Sequence, residues 1–257
     1  MGLAKPYYRT ARQFTDGRYA NGGCWRYIEH PDFAARPSHY VRAFELLQDD
    51  LKELFKFVEP SDANLGTYSF RTLEMLLRAS IEVEANCKAI LNANTYAKKG
   101  RDLNISDYAR LEFSHYLSQY KVKMPYWTGT MSTRQPFKSW ASTTGTPGQQ
   151  PLDWYQRYNR SKHDRAGALS VATLEAVIDA VAGLFVLLTA QFLNIDFAPG
   201  ASFLAIHGIN DGFEDGLGGY FRVAYPSSVP MGERYDFDWD QVVAAADPFE
   251  RFDYDNV

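Results

Sequence analysis

Twelve consecutive residues, Trp154 to Arg165, concentrate the side chains of this sequence that could do chemistry. They include one histidine, four arginine or lysine side chains and three aromatic rings, directly ahead of a long apolar segment. Cations crowded beside a hydrophobic core need a compensating anion, because an unpaired buried charge is costly. That anion could be a phosphate of RNA or a carboxylate of the protein itself, and the sequence leaves both interpretations open.

Helical spacing would place three polar side chains of this cluster on one face. Asn159 and His163 are four residues apart, and Arg160 and His163 are three apart, so all three can face one ligand. An imidazole beside fixed cations suits a base near neutral pH, and a guanidinium matches the geometry of phosphate. These groups could support cleavage of a phosphodiester without a metal, in which the 2′-OH of RNA attacks the neighbouring phosphate.

Residues 158–163 read Tyr-Asn-Arg-Ser-Lys-His and resemble the Tyr-Asn-x-x-Lys-His signature of bacterial HEPN-like (higher eukaryote and prokaryote nucleotide-binding) helical proteins. Residues 68–71, 76–77 and 81–88 resemble the second helix of that group, and the likeness covers about residues 36–194. The resemblance implies an up-down helical bundle that is usually dimeric. It also implies a metal-independent endoribonuclease in many members, with an Arg-Asn-x-x-x-His motif paired across the dimer. Such proteins occur in toxin–antitoxin and antiviral defence systems, so an antitoxin or other protein partner is implied as well.

The sequence departs from that motif at one position. When Asn159 and His163 are aligned with it, the arginine position holds Tyr158, which can donate a hydrogen bond but carries no positive charge near neutral pH. Arg157 satisfies a looser spacing, and Arg160 is a second substitute. Two functions stay open: an active ribonuclease, and a non-catalytic binding or interaction module of the same fold.

The residues and the resemblance together predict a site without cofactor or metal. The predicted catalytic residues are His163, Arg157, Asn159 and Arg160, and the predicted substrate-binding residues are Tyr158, Lys162, Arg165 and Glu84. Glu84 is favoured over Glu82 as the internal partner of these cations. Structural alternatives exist for three of them: His163 could interact with a helix dipole, Tyr158 could anchor the core, and Glu84 could pair with Lys88.

Long helices must position this cluster. Apolar residues that recur every three to four positions predict a first helix that follows Ser38 and stops before Pro60. Further helices are predicted over residues 69–94, over 106–120 with Ser106 as N-cap, over 153–163 with Asp153 as cap, and over 171–193.

The predicted fold is mainly α, with an up-down HEPN-like bundle over residues 36–195. An irregular N-terminal arm over 1–35 precedes the bundle, and an acidic extension over 196–257 follows it. Residues 220–225, and less clearly 202–209, have the pattern of strands in this extension. The stretch 121–150 is rich in Gly, Pro, Ser and Thr and predicts a long loop.

Charge is distributed unevenly along the chain, whose net charge is −4. Residues 196–257 hold twelve acidic and three basic side chains, whereas residues 96–165 hold twelve basic and five acidic ones. Aromatic residues alternate with the cations of this basic region: Tyr108, Tyr116, Tyr120, Tyr126, Trp127, Phe137 and Trp140. They could stack on RNA bases, although large aromatic side chains more often pack inside. The cations could instead pair with tail acids such as Asp236, Asp238 and Asp240.

The cysteines, the apolar run and the absence of common motifs indicate the cellular compartment and exclude several classes of enzyme. Cys24 and Cys87 fit no metal-ligand spacing and indicate free thiols in a reducing compartment. The apolar run from Ala180 to Ala190 is shorter than the roughly 20 residues that span a bilayer, which favours a core helix. With no signal peptide recognised, a cytoplasmic location is expected, and the HEPN resemblance implies a homodimer. Walker, Rossmann and nucleophile-elbow patterns are absent from the sequence.

Overall fold

The computed structural model describes residues 6–13, 25–26, 30, 32–98, 103–141, 151–164, 167–197, 212–226, 229–236 and 239–257. The fold of these residues is mainly α with a small antiparallel sheet, as the sequence predicted. The helices are α1 (Pro37–Leu54), α2 (Phe70–Ala93), α3 (Ile105–Tyr108), α4 (Glu112–His115), α5 (Asp153–His163), α6 (Leu174–Phe192) and α7 (Trp239–Ala244). The strands are β1 (Arg12–Gln13), β2 (Trp25–Arg26), β3 (Lys121–Lys123), β4 (Thr133–Arg134), β5 (Glu214–Asp215) and β6 (Arg222–Ala224).

Helices α2 and α6 pack along each other, and each also contacts both α1 and α5. α2 begins where the sequence predicted, because Ser69 forms a capping box in which its side chain accepts from the Thr72 backbone N–H. α6 is buried on nearly every side, and only Glu175 and Asp179 interrupt its run of buried residues. It is the central element of the hydrophobic core.

α6 also has the length and composition of a membrane-spanning helix, with a mean hydropathy of 1.7 in its most apolar window. However, 89% of that window is buried inside the protein. An all-round apolar helix enclosed by other helices is the normal core element of a large domain. The prediction that this segment is a core helix is therefore confirmed.

The predicted helix over 106–120 is wrong in its extent. Asn104, and not Ser106, is the N-cap, and the segment breaks into α3, a 3₁₀ turn over 109–111, α4 and a second 3₁₀ turn over 117–119. Tyr116 ends α4 in the left-handed region at φ 52°. The side chains of this segment point inward in several directions, so no single helical face could bury them all.

The predicted long loop over 121–150 is also wrong for the part that the structure describes. β3 and β4 lie within it, and Phe137 and Trp140 are buried in the core. Residues 142–150 lie outside the described residues. The apolar residues of this segment pack against the helices, which orders a stretch whose turn-rich composition predicted a loop.

The sheet has the order β4-β3-β6-β5, with antiparallel pairs throughout. β6 confirms the predicted strand near 220–225, whereas residues 202–209 lie outside the described residues. Because β6 pairs with β3, the C-terminal extension shares a sheet with the segment that precedes α5. It also shares the core, since the Phe221 ring lies 6.2 Å from that of Phe44 in α1 and 5.2 Å from that of Phe185 in α6.

A buried hydrogen-bond chain joins α4 to both ends of the described chain. His115 is fully buried, and its Nε2 lies 2.8 Å from the Arg9 carbonyl oxygen, to which it can donate. Its Nδ1 lies 2.7 Å from the Ser114 hydroxyl, which in turn bonds the Tyr254 hydroxyl. Burial lowers the pKa of His115 to about 3, so the ring is neutral when the protein is folded.

This neutral histidine makes folding stability depend on pH. The unfolded state takes up the proton below about pH 6.5, whereas the folded state takes it up only near pH 3. The stability that neutral His115 contributes is thus present above pH 6.5 and is lost as the pH falls below it. We expect the difference in unfolding free energy between wild type and His115→Asn to shrink by about 2 kcal/mol from pH 7 to pH 5. Urea unfolding at both pH values measures it.

Glu112, in the same short helix as His115, changes the unfolding free energy with pH in the opposite direction. Taking the difference between wild type and His115→Asn removes this effect. Burial raises the pKa of Glu112 to about 7, which stabilises the folded state as the pH falls, and this contribution cancels in the difference. The matched control is His39→Asn, because His39 is exposed at the start of α1. A difference for His115→Asn that stays constant with pH would contradict the neutral, buried state of this ring.

Candidate functional site

Helix α5 carries the polar cluster, and its buried face fixes its orientation. The buried residues Trp154, Tyr155, Tyr158 and Ser161 form one helical face toward the core. Trp154 donates its Nε1–H to the Pro136 carbonyl oxygen at 3.0 Å. A Cβ at Gly183 of α6 would lie 3.3 Å from the Trp154 ring, so the absence of a side chain there lets α5 approach α6 closely. The sequence bounds predicted for α5 are confirmed, although Leu152 and not Asp153 occupies the N-cap.

Two tyrosines of α5 contact Glu84 of α2. The Tyr155 hydroxyl donates to Glu84 Oε1 at 2.8 Å, and Lys88 approaches the other oxygen at 3.4 Å. Tyr158 is 1% exposed, and burial together with the charge of Glu84 raises its pKa to about 12. The expectation that Tyr158 and Glu84 bind substrate stays a prediction, and the structure places the buried Tyr158 and the half-buried Glu84 where α5 contacts α2.

Arg157 lies on the flank of α5 that faces α6. Its Nε donates to Asp153 Oδ2 at 2.7 Å, its Nη1 donates to Thr173 Oγ1 at 3.2 Å, and its Nη2 is 3.9 Å from Glu175 Oε2. Glu175 also receives Arg134 of β4 at 3.2 Å. Arg157 is therefore part of an ion-pair network with Asp153 and Glu175, whereas Arg160, three residues further along α5, is exposed.

The opposite face of α5 is open to solvent. Arg160 and His163 are exposed and Asn159 is half-buried, and their spacing aligns them in one stripe along the helix. Gln156 extends this stripe by one turn and is also exposed. We call Gln156, Asn159, Arg160 and His163 the α5 stripe. Their side chains form no hydrogen bond or ion pair in the part of the chain that the structure describes.

The structure thus places Asn159, Arg160 and His163 along one stripe and engages the fourth predicted catalytic residue, Arg157, in ion pairs with Asp153 and Glu175. Lys162 lies beside the stripe, exposed, with its Nζ 5.6 Å from the centre of the Tyr158 ring. Arg165 lies outside the described residues. Gln156 was missed by the sequence analysis, although its position three residues before Asn159 and four before Arg160 is a signal that could have identified it.

The last turn of α5 concentrates positive charge. Arg160 and Lys162 lie there, where cations interact favourably with the negative end of the helix dipole, and His163 is the last residue of the helix. The backbone N–H of Asp164, which ends the helix, donates to the Arg160 carbonyl oxygen at 2.9 Å. Arg160 of the stripe and the neighbouring Lys162 therefore place two cations at the C-terminal end of α5.

The acidic tail does not pair with α5 in the residues described. Asp238 lies outside them, and the tail carboxylates with described ion pairs contact other elements, as Glu233 does with Arg12 at 3.2 Å. Tyr8 likewise donates to Asp247 at 2.8 Å. These contacts tie the tail to the N-terminal arm, and the predicted alternative of Asp236 or Asp240 against the polar cluster gains no support from them.

Arg157 and Arg160 are predicted to differ in their effect on stability. We expect Arg157→Gln to lower the unfolding free energy by about 1 kcal/mol, because it removes a hydrogen bond and two partly exposed ion pairs. Arg160→Gln, a matched change three residues along the same helix, should stay within about 0.5 kcal/mol of wild type. Urea unfolding at pH 7 distinguishes them, and equal effects of the two variants would contradict the structural role assigned to Arg157.

Comparison with models of known protein families, with curated proteins and with solved structures found no match. The HEPN resemblance therefore stays a prediction based on the motif. The functional argument depends on the residues of α5 and on their surroundings.

Proposed function

We propose that this protein binds RNA along the α5 stripe and cleaves it without a metal cofactor, as a HEPN-like homodimer. The observation that carries the proposal is the alignment of the exposed His163 and Arg160 with the half-buried Asn159, three groups of suitable chemistry that form no hydrogen bond or ion pair with the rest of the described chain. Surface cations that serve only stability are normally near a carboxylate. These groups are instead directed at solvent, where a phosphate can reach them.

The chemistry assigns a role to each group. His163 would remove the proton of the 2′-OH, whose oxygen attacks the adjacent phosphorus and displaces the 5′-oxygen, leaving a 2′,3′-cyclic phosphate and a 5′-hydroxyl. Arg160 would stabilise the charge that develops on the phosphate oxygens, and Lys162 would add to the attraction. Asn159 and Gln156 can donate or accept hydrogen bonds to the ribose or to a base.

A homodimer would supply the second proton-transfer group that a single α5 stripe lacks. Cleavage needs one group to take the 2′-OH proton and a second to protonate the departing 5′-oxygen, and each chain offers one histidine on the stripe. Two α5 stripes facing each other would supply both groups. The HEPN-like arrangement proposed here is an up-down bundle of α1, α2, α5 and α6, and the contacts of α2 and α6 with both other helices are compatible with it.

The same proposal places the protein in the cytoplasm, in a toxin–antitoxin or antiviral defence system. An unpaired cationic surface is complementary to an acidic protein inhibitor as well as to RNA. An antitoxin that covers the α5 stripe would therefore block access to the nuclease site directly.

A second candidate function is a non-catalytic RNA-binding or interaction module. It is favoured by Tyr158, which occupies the arginine position of the HEPN motif and is buried against Glu84. The ion pairs of Arg157 also favour it, because they hold the nearest substitute arginine on a different face of α5. In this case the stripe would bind phosphate without cleaving it.

An RNA cleavage assay with the full chain tests the proposal. Wild type should cut a single-stranded RNA of mixed sequence in the presence of EDTA and leave cyclic phosphate ends. His163→Ala should lower the rate by at least about 100-fold, since a positioned general acid–base group contributes that much or more. Arg160→Gln should also lower it, by about 10-fold or more, through lost charge stabilisation.

The matched control is His39→Ala, which removes an exposed histidine from α1. This variant should cleave RNA at the wild-type rate. Thermal unfolding should show that His163→Ala folds like wild type, because the exposed His163 ring forms no hydrogen bond, ion pair or ring contact with the described residues. RNA that is bound but left intact by wild type would favour the non-catalytic module. RNA neither bound nor cut would contradict both functions.

A further inference from the structure

A surface cavity of about 370 Å³ lies where α2 ends, and no residue of the α5 stripe lines it. It is formed by residues 8–9 and 32–35 of the N-terminal arm, Tyr40 of α1, the last turns of α2, and Arg251 of the C-terminal extension. Its size is within the range of small-molecule sites. The chemistry of its lining therefore indicates what kind of small molecule it could hold.

Small side chains leave this space open. Ala34, Ala35, Ala89 and Ala93 line the cavity with methyl groups, and Tyr40 adds an aromatic ring. Ala89 and Ala93 are four residues apart on α2, so both lie on one face of the helix. A larger side chain at either position would occupy part of the cavity. This lining suits an apolar group of a ligand.

Arg9 connects the lining of the cavity to the hydrophobic core. It is 3% exposed, its Nε donates to Gln191 Oε1 of α6 at 2.8 Å, and its guanidinium carbon lies 4.6 Å from the centre of the Tyr40 ring. Its φ of 58° is in the left-handed region that residues other than glycine rarely adopt, and such strain persists only where the surroundings enforce it. The wall of the cavity is thus held in one arrangement, which lowers the entropic cost of binding a ligand.

Two side chains of opposite charge line this cavity without pairing with each other. Asp32 and Arg251 are both exposed, and no ion pair joins them in the described part of the chain. Both act on the hydroxyl of Tyr8, which also lines the cavity. Burial and a hydrogen bond to Asp247 raise the pKa of Tyr8 to about 12, while the charge of Arg251 opposes this rise and that of Asp32 adds to it. Asp32 and Arg251 therefore lie near the same hydroxyl.

The existing contacts of these two charges leave both available to a ligand. Asp32 lies 4.0 Å from His30 Nδ1 and is 61% exposed, so this contact contributes little in solvent. Arg251 forms no hydrogen bond or ion pair with the residues that the structure describes. Asn92 of α2 is exposed beside the same cavity, and its carboxamide can donate or accept a hydrogen bond.

We propose that this cavity binds a free α-amino acid with an apolar side chain, with its carboxylate at Arg251, its ammonium group at Asp32 and its side chain among the alanines. A ligand with both charges gains a charge-assisted hydrogen bond at each end. A monoanion would be repelled by Asp32, and a monocation would be repelled by Arg251. The proposal does not depend on the α5 stripe.

A ligand-observed NMR titration of the full chain with L-leucine and L-phenylalanine tests this site. Two analogues identify the charges that are recognised, because N-acetyl-L-leucine lacks the ammonium group and L-leucinamide lacks the carboxylate. We expect each analogue to bind at least about 10-fold more weakly than L-leucine, since each loses one charge-assisted hydrogen bond.

Variants of the two charged residues assign each end of the ligand to its partner. Arg251→Gln and Asp32→Asn should each weaken binding of L-leucine by about fivefold or more. Arg251→Gln should lose little affinity for L-leucinamide, and Asp32→Asn little for N-acetyl-L-leucine, because each analogue already lacks the group that the altered residue binds. Ala89→Leu should weaken binding of L-leucine without removing a charge, because the added side chain occupies the cavity.

The matched controls are Arg42→Gln and Asp236→Asn, which remove an exposed cation and an exposed acid that do not line the cavity. Both should bind L-leucine with wild-type affinity. Thermal unfolding should show that Arg251→Gln and Asp32→Asn are folded, because both side chains are exposed.

The titrations also separate the proposed site from other kinds of site. Binding of neither amino acid, or wild-type affinity for L-leucine in either Asp32→Asn or Arg251→Gln, would overturn the proposal. L-leucinamide binding as tightly as L-leucine would overturn it in favour of a cation site. N-acetyl-L-leucine binding as tightly as L-leucine would overturn it in favour of an anion site.

Discussion

The need to enclose α6 on all sides is the constraint on which the rest of the structure depends. Its buried residues face every direction around the helix, so α1, α2 and α5 must all pack against it. Glu175 and Asp179 are the only charged residues of α6, and they lie where Arg134 and Arg157 can reach them. These ion pairs, with Trp154 against Gly183, fix the rotation of α5 about its axis. The α5 stripe consequently lies on the side of α5 that does not pack against the core.

Polar contacts extend this core to both ends of the chain. Arg12 is 1% exposed and pairs with Glu233, while the Tyr235 hydroxyl donates to the Thr10 carbonyl oxygen. Residues 6–13 and the C-terminal segment therefore cover the same region of the helices from two directions. Buried hydrogen-bonding groups contribute little net stability when paired but cost much when unpaired. The two segments are thus expected to order together, because each supplies the partners of the other.

The elements that depend on residues close together in the sequence were predicted from sequence patterns alone. The period of apolar residues was sufficient for α1 and α2, an apolar run for α6 and the polar cluster after Asp153 for α5, and the spacing of Asn159, Arg160 and His163 was sufficient to align them. β3 was missed because three residues of strand carry little signal on their own, and one of its partners, β6, lies about 100 residues away in sequence. The same limit applies to Arg157, whose partner Glu175 lies on another helix. Only the packing of α5 on α6 shows that this arginine faces the protein.

Several surface cations elsewhere in the chain differ from Arg160 in having a carboxylate partner. Arg71 and Arg78 of α2 share Asp50 of α1, and Lys52 and Lys56 each pair with a carboxylate three residues before them. Such pairs satisfy the charge locally and leave little field for a ligand. Arg160 has no such partner among the described residues, although it lies four residues from Gln156, where a glutamate would pair with it. A stabilising acid at that position would compete with phosphate for the same guanidinium, so the neutral carboxamide keeps the cation accessible to an anionic ligand.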